Sequence, residues 1–584
     1  MAFTNVTLIN YFKQRMVELY DRNTLDTYAV RTCNTMSMLL EAKEILNGWL
    51  VGNVKRGETV GLCIDELIKL ISYDKWLDDS VYDRGKLKTH LEAYAKGVKQ
   101  IKDTKDKKEK DYNDARNTLY IINQFITKND SSYLITLLDA IEMELLTIRT
   151  YNDDEFSKAF ENLDTMLSLM ASELLRRGYS KIFLYKYFTF IKRGSALETP
   201  FEDVYSKLKS RFGNVSYFSD VVIIRLHFKS KNIPRMANMV EEIPDEYQSV
   251  MNDAMKGFTK KEPRKRFYIV TIQAPDTNAA LQKARIQLSQ ALDRNDMGLL
   301  EISNQGLVGY KDNNNNWTFH KQQYYDLNKK LPQGDNIDNS LSDIIQQIDS
   351  SEHISKEVKE RLNTALRHLR VGDDQEEIEQ RFLNYWIGLE FLFSTPRSGD
   401  STFSRLKEIF PKLMTLYYLK RNVSSLDKWL IEKGLIETNV SIGTINDSEL
   451  EAIFEATTQE LLKYRIKSMK SHLHNRDKVK KYIDNHIQNL EWHLSRIYHL
   501  RNELVHEAAI KQSIVGVTSN LRDYLVFMLN LLLDYCDSQN ANTFTDAITM
   551  DELFWKNELL WKKLTPEYNK EEFMMIQLPK EYVR

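Results

Sequence analysis

The sequence predicts a mainly α protein: a helical N-terminal region, a small α/β layer in the middle and a helical bundle towards the C-terminal end. Three observations lead there. Segments with apolar residues at three- and four-residue steps dominate residues 1–198 and 341–540. Glycine and proline, 20 and 10 among 584 residues, are scarce inside them. Between the two regions, after Pro200, the pattern changes to β-branched and aromatic runs, which favour strands.

Residues 1–198 carry amphipathic segments over Ile9–Tyr20, Thr24–Trp49, Val60–Ile71, Ser131–Arg149 and Phe156–Arg177. The run Lys102–Asp111 alternates in sign, which marks a solvated helix face or a mobile link; a dedicated RNA arm would carry fewer acids. No nucleotide-binding loop, catalytic triad or repeat stands out. This region is expected to sense a signal or bind a partner.

Residues 199–340 read as a small α/β domain with a linker. Asp220–Phe228 and Arg266–Gln273 are expected strands, Ala279–Leu292 a helix, and Leu299–Ile302 and Leu307–Tyr310 further strands. Asn313–Asn316 forms a polar turn before Trp317, and Pro332 with Gly334–Asn339 marks the linker. Phe267 and Tyr268 could stack on bases, although aromatic residues in strands more often fill a core.

Residues 341–540 form the expected bundle. Ile354–Leu369 is a lead-in helix, broken by Val371–Asp374. Phe382, Trp386, Leu389 and Phe393 share the next stripe. Glu390, one turn from Trp386, borders that core, either solvated at its edge or paired with an arginine of a site. Pro396, Ser398 and Gly399 end the helix. Farther on, Lys463, Arg465, Lys467, Lys470, Arg476, Lys478, Lys480 and Lys481 carry only Asp477 among them. They form either a track for a phosphate backbone or a solvated helix face. His472 and His474 have no carboxylate or cysteine beside them and make a poor metal site. Leu521–Tyr535 is the final apolar helix. The tail, 541–584, with Trp555, Trp561, Met574 and Met575, packs back on the bundle or on a partner.

Composition narrows the function classes. Hydrophobic residues at 42% and charged residues at 28% are ordinary for a soluble globular chain, and the length suits about two to four domains. A net charge of -2 gives no global attraction for nucleic acid, so any RNA contact must come from a local patch. The three cysteines, Cys33, Cys63 and Cys536, are far apart and form no CxxC. They argue against a disulfide framework or structural zinc and fit a reducing cytosol. The first residues lack a basic stretch followed by an apolar run, and the most apolar segment, Leu525–Leu533, is short and contains Asn530. Neither a signal peptide nor a membrane span is expected.

The chemistry concentrates near residue 500. Ile487, Leu490, Leu494 and Ile497 trace one apolar helix face, and continuing it reaches Arg501 and then Leu504. A guanidinium stands where a core side chain was due. Buried charge is costly unless paired, so this arginine needs a partner or a task. If the helix continues, Asn502 and His506 share a face at four-residue spacing, and Arg501, about 140° round from His506, can swing towards it. A permanent cation beside a group that titrates near neutrality suits phosphate chemistry. The bland alternative is a solvated arginine and histidine at a helix end. Four other Arg-Asn pairs begin at Arg22, Arg116, Arg294 and Arg421, and none has histidine five residues after its arginine.

The pattern R-N-x-x-x-H on a helix resembles the signature of HEPN domains, small helical bundles that often act as metal-independent ribonucleases. Arg381–Phe393 contains W-x-x-L-E-x-L and is similar to the first helix of the Apea-like HEPN subgroup, found in anti-phage defence proteins. The hexapeptide alone is weakly specific; the two together, in this order, are far more so. The likeness covers roughly 353–540, under a third of the chain.

The resemblance implies a HEPN-like bundle and a catalytic trio of Arg501, Asn502 and His506. RNA carries its own nucleophile in the 2′-hydroxyl; His506 would move the proton and Arg501 would neutralise charge on the phosphoryl oxygens, leaving a 2′,3′-cyclic phosphate and a 5′-hydroxyl. No metal and no cofactor are called for. HEPN nucleases usually pair two motifs over one cleft and this chain has one, so a homodimer with a composite site is implied. Asn502 would orient the phosphate or the imidazole. Arg496 is a candidate second phosphate ligand and Glu390 a candidate support. The expected substrate is transfer RNA or other structured RNA. A phage-derived trigger or protein partner would act through the N-terminal region, and the nuclease would be latent until infection. The competing readings are a catalytically silent HEPN dimerisation or RNA-binding module, and a nucleotide sensor.

Overall fold

The computed structural model describes residues 5–21, 33–80, 82–102, 104–147, 153–193, 200–214, 217–229, 233, 235–294, 300–312, 314–323, 340–375, 377–394, 402–473, 475–507, 514–540 and 548–583. Thr24, Arg149, Leu299, Asn313, Pro332, Gly334–Asn339, Pro396, Ser398, Gly399 and His474 lie outside them, and of His506 only the backbone is described. The architecture is mainly α, with one five-stranded antiparallel sheet in the middle of the chain and helices on both sides of it in sequence. Among the described residues, no helix is long and apolar enough to cross a membrane.

The chain divides into two compact units, neither continuous in sequence. Residues 1–24, 31–37 and 128–326 form one; 25–30, 38–127 and 327–584 form the other. The boundary expected near residue 198 therefore falls inside the first unit, and residues 38–127 belong with the C-terminal bundle. Amphipathic spacing identifies helices one at a time and says nothing about which neighbour covers each apolar face.

In the second unit, the bundle core joins Leu362, Trp386, Leu389, Phe410, Leu494, Ile497, Leu525 and Leu529. The helix Lys356–Asp374 does not break at Val371–Asp374 as expected. Gly372 is kept because the ring of Tyr385 lies against it: a Cβ there would stand 2.4 Å from Tyr385 Cε1. The Tyr385 hydroxyl donates to Asp373 Oδ1 at 2.7 Å, and Arg522 holds both Asp373 oxygens at 2.7 and 2.8 Å, tying three helices together. The C-terminal tail enters the same core through the helices Met550–Leu564 and Lys570–Met575, with Phe554 stacked on Phe393 at 5.0 Å. The sign-alternating run holds one 3-10 turn, Thr104–Asp106, and the start of the helix Glu109–Asn129. Lys107 lies 3.7 Å from the centre of the Trp49 ring.

In the first unit the sheet order is β2-β3-β1-β4-β5, with β1 Phe218–Phe228, β2 Met239–Val240, β3 Lys265–Ala274, β4 Leu300–Lys311 and β5 Trp317–Gln323. Both faces are covered, which is why β1 is a continuous apolar run rather than an alternating one. Val222, Ile224 and Tyr268 pack with Ala280, Ala284 and Leu288 of the helix Thr277–Arg294. Val221, Ile223 and Phe267 pack with Ile243, Met251 and Phe258. Phe267 and Tyr268 are thus core residues, not a platform for bases. The two strands expected at 299–302 and 307–310 are one strand. Gly306 sits under Leu281, where a Cβ would meet Leu281 Cδ1 at 2.6 Å, so its lack of a side chain is needed for helix packing and is no turn signal. The turn before Trp317 is built on Asp312, whose Oδ1 accepts from Asn314 N and Asn316 N at 2.8 and 2.9 Å, with Asn315 at φ 64°.

Two buried aspartates sit at one end of this sheet. Asp276 accepts from Ser180 N, Ser180 Oγ and Ala279 N at 2.7–2.8 Å, and so caps the helix Thr277–Arg294. Asp220, on β1, is pushed up to about 7 by burial first and by Asp276 second. Its carboxyl ionises near the usual 3.8 in the unfolded chain but keeps its proton to about 7 in the fold. Its contribution to stability is therefore complete below about 4 and is lost as pH rises to 7. Asp220→Asn should remove on the order of 1–3 kcal/mol of that loss. Thermal unfolding followed from pH 4 to pH 8 should show a falling midpoint for the wild type and a flatter one for the variant.

Candidate functional site

The helix that carries the motif runs without interruption from Arg476 to Glu507, so Arg501, Asn502 and His506 share its last two turns. Its apolar stripe packs as expected: Leu490, Leu494 and Ile497 are buried in the bundle core, Ile487 is half-buried and Leu504 lies against the core. Arg501, the next position on that stripe, is half-buried, and its Nη1 donates to Asn502 Oδ1 at 3.1 Å. Among the described residues it makes no ion pair, which leaves most of its donor fork available.

The run Arg381–Phe393 lies in the helix Ile378–Phe393 and reaches the motif helix directly. The rings of Trp386 and Tyr498 are 6.0 Å apart, and Phe403 stacks on Tyr498 at 3.9 Å. The structure thus brings together the two stretches that carry the family resemblance. Glu390 accepts a hydrogen bond from Trp386 Nε1 at 2.9 Å, so its recorded partner is a core indole and not an arginine.

Arg496 is committed elsewhere. Its Nε lies 2.8 and 2.9 Å from the two oxygens of Glu41, and its second amino group donates to Glu66 Oε2 at 2.7 Å. Glu66 is 3% exposed and the Arg496 side chain 12%. Burial pushes the Glu41 carboxyl up; Arg496 opposes that and Glu66 adds to it. A guanidinium held by two carboxylates is not an open phosphate ligand.

Sequence reasoning missed this network, since nothing in the sequence links positions 41 and 66 to 496. It also missed the pair His499 Nε2 and Glu503 Oε1 at 3.3 Å, one turn apart, although that i,i+4 spacing was readable. Two more histidines on this helix have structural roles: His486 meets Thr415 Oγ1 at 2.8 Å and stacks on Tyr418, and His493 meets the Tyr524 hydroxyl at 2.9 Å.

The basic stretch is not brought to the motif. Lys463, Arg465, Lys467 and Lys470 lie on the helix Glu460–Leu473, and Arg476, Lys478, Lys480 and Lys481 on the opening turns of the motif helix. Lys481 stands twenty residues before Arg501, about 30 Å along the axis. Lys470 lies 3.6 Å from Asp447 and Arg476 lies 3.6 Å from Glu567, while Lys467, Lys480 and Lys481 face solvent. His472 Nδ1 lies 2.7 Å from the Ser468 carbonyl oxygen. Among the described residues, no group of three or more histidine, cysteine, aspartate or glutamate side chains is arranged to hold a metal ion.

Comparison of the chain with protein-family models, curated proteins and solved structures finds no match.

The network makes Arg496→Ala costly without any RNA present. Two buried carboxylates would lose their shared cation, at about 3–5 kcal/mol. The triple variant that adds Glu41→Gln and Glu66→Gln should recover much of it, because no uncompensated charge remains. Chemical denaturation of wild type, single and triple variants checks this, and a single variant as stable as wild type would count against the buried network.

Proposed function

We propose that this protein is a metal-independent endoribonuclease of the HEPN kind, with Arg501, Asn502 and His506 as its catalytic residues, acting as a homodimer. The observation that carries the reading is Arg501 itself: a half-buried guanidinium on the core-facing stripe, bonded to the Asn502 amide and making no ion pair among the described residues. A permanent charge kept partly out of water without a counter-ion is expensive unless a ligand supplies the anion. A phosphodiester supplies one.

In the proposed reaction the substrate's 2′-oxygen attacks the adjacent phosphorus and the bond to the 5′-oxygen breaks. A proton leaves the 2′-hydroxyl and another reaches the departing 5′-oxygen. His506 mediates transfer at one of these atoms, and His506 of the second copy is available for the other. Arg501 neutralises the charge that builds on the non-bridging oxygens, and the Asn502 amide, bonded to Arg501, fixes the direction of that fork. Water plays no part in this step, so the products are a 2′,3′-cyclic phosphate and a 5′-hydroxyl.

The basic stretch extends the reading to substrate shape. An RNA that touches both Lys480 or Lys481 and the motif must span about 30 Å, the length of roughly one helical turn of duplex. Structured RNA such as transfer RNA fits that span, and an anti-phage role in the cytoplasm, arresting the infected host, fits such a target by analogy. The three cysteines are free, with Cys63 and Cys536 buried, in keeping with a reducing compartment.

Incubation of purified protein with total RNA in EDTA tests the reading. Wild type should cleave and leave cyclic phosphate ends, while His506→Ala and Arg501→Ala should each lower the rate by about 10²–10⁴-fold with the dimer intact. RNA left whole by a wild-type dimer, under conditions in which a phage lysate is also present, would instead identify a silent dimerisation module. Tight binding of a mononucleotide without cleavage would identify a sensor.

A further inference from the structure

The helices Thr35–Val51 and Gly57–Tyr73 meet the motif helix in an unusual way. The bundle's apolar core runs from Ile344 to Val583 and, among the described residues, includes nothing from 38–127. The helix pair has buried apolar residues of its own, with Leu39, Leu46, Ile64 and Leu67 fully enclosed. What joins the two is a polar seam along one face of the motif helix. Lys69 Nζ reaches Asn485 Oδ1 at 3.0 Å, Gln488 Oε1 at 3.4 Å and Asn489 Oδ1 at 3.5 Å, and lies 5.1 Å from the centre of the Trp492 ring. One turn beyond Trp492, Arg496 takes Glu41 and Glu66. His499 and Glu503 continue the face, and His506 follows two helical turns after His499.

We propose that this helix pair is a releasable cover on the motif helix, latched by Arg496 and Lys69, whose departure opens the Arg501–His506 end to RNA. The regulatory half of that statement rests on the ribonuclease reading; the existence of the cover does not. A seam of amides, carboxylates and two cations can part at modest cost, because water replaces each bond when the faces separate. The tail, by contrast, is stapled into the bundle through stacked phenyl rings. The latch is also over-supplied with acid. Both oxygens of Glu41 lie on a guanidinium that Glu66 shares, and burial outweighs the help Glu41 receives from Arg496. Charge of one sign is thus held in excess at the joint, which favours opening.

That excess gives a signed test, read by hydrogen exchange on the full-length protein, with RNA cleavage measured alongside. Glu41→Gln keeps the bonding geometry and removes one like charge, so exchange in the peptides covering 57–73 and 485–507 should slow on the order of tenfold and cleavage should fall with it. Lys69→Ala removes a latch without stranding a buried charge, so exchange in the same peptides should quicken by a similar factor and cleavage should rise. The cover is overturned if Glu41→Gln quickens exchange, as loss of a purely structural ion pair would, or if these peptides open only with the whole bundle. Exchange shifts of the expected signs with no cleavage by any variant would keep the cover and remove the nuclease.

Discussion

One helix, Arg476–Glu507, has to satisfy two neighbours that want opposite things from it. Its Leu490, Leu494 and Ile497 face is a core surface, locked by apolar burial against the rest of the bundle. Its Asn485, Trp492, Arg496 and His499 face meets a second helical layer through hydrogen bonds and charge. A helix of 32 residues is long enough to do both over most of its length. The two faces converge in its last turns, where Arg501 falls on the apolar stripe and His506 on the register of the polar one. That geometry makes the C-terminal end of this helix the place where a charge can be kept half-dry yet reachable, and the candidate chemistry follows from it.

The two arginines on this helix show how context decides the use of one side chain. Arg496 and Arg501 are five residues apart, both partly buried, and identical in charge. Arg496 meets two carboxylates and becomes a joint between helices. Arg501 meets a neutral amide and keeps its charge unspent. Desolvating a guanidinium costs several kcal/mol in either case. In the first the return is attachment of a layer; in the second it is deferred until an anion arrives. The positions of glutamates far away in the chain, not any property of the arginines, separate the two.

How far this was readable in the sequence depends on the range of each interaction. The mainly α architecture, the strands Asp220–Phe228 and Arg266–Gln273 and the continuous motif helix are local patterns, and they emerge within a residue or two of their observed bounds. So does the juxtaposition of Asn502 and His506 along one helix. Errors came where glycine was read as punctuation. Gly372 and Gly306 sit inside a helix and a strand because a tyrosine ring and a leucine side chain need the space, a constraint set from another element. The partners of Arg496 and Glu390 were unreadable for the same reason: one depends on residues more than 400 positions away, the other on the rotamer of an indole. Residues 38–127 joined the bundle against the expected boundary because their docking surface is polar and leaves no hydrophobic signature.

Polarity at that surface bears on how the whole unit can behave. A protein that means to keep two layers together permanently does it with apolar contact, as the stacked rings of Phe393 and Phe554 do, since separating them exposes surface that water accepts only at a cost. Where layers are joined by Lys69 on three side-chain amides and by Arg496 on two carboxylates, nearly every group is as well served by water as by its partner, and the net preference for contact shrinks to the difference. Trp492 supplies the apolar part of the seam and is itself roofed by a lysine. A small difference between large terms is what allows a modest input, such as one bound ligand or one competing phosphate, to move a layer. The same residues that make the N-terminal helices hard to assign from sequence therefore make them suitable for control.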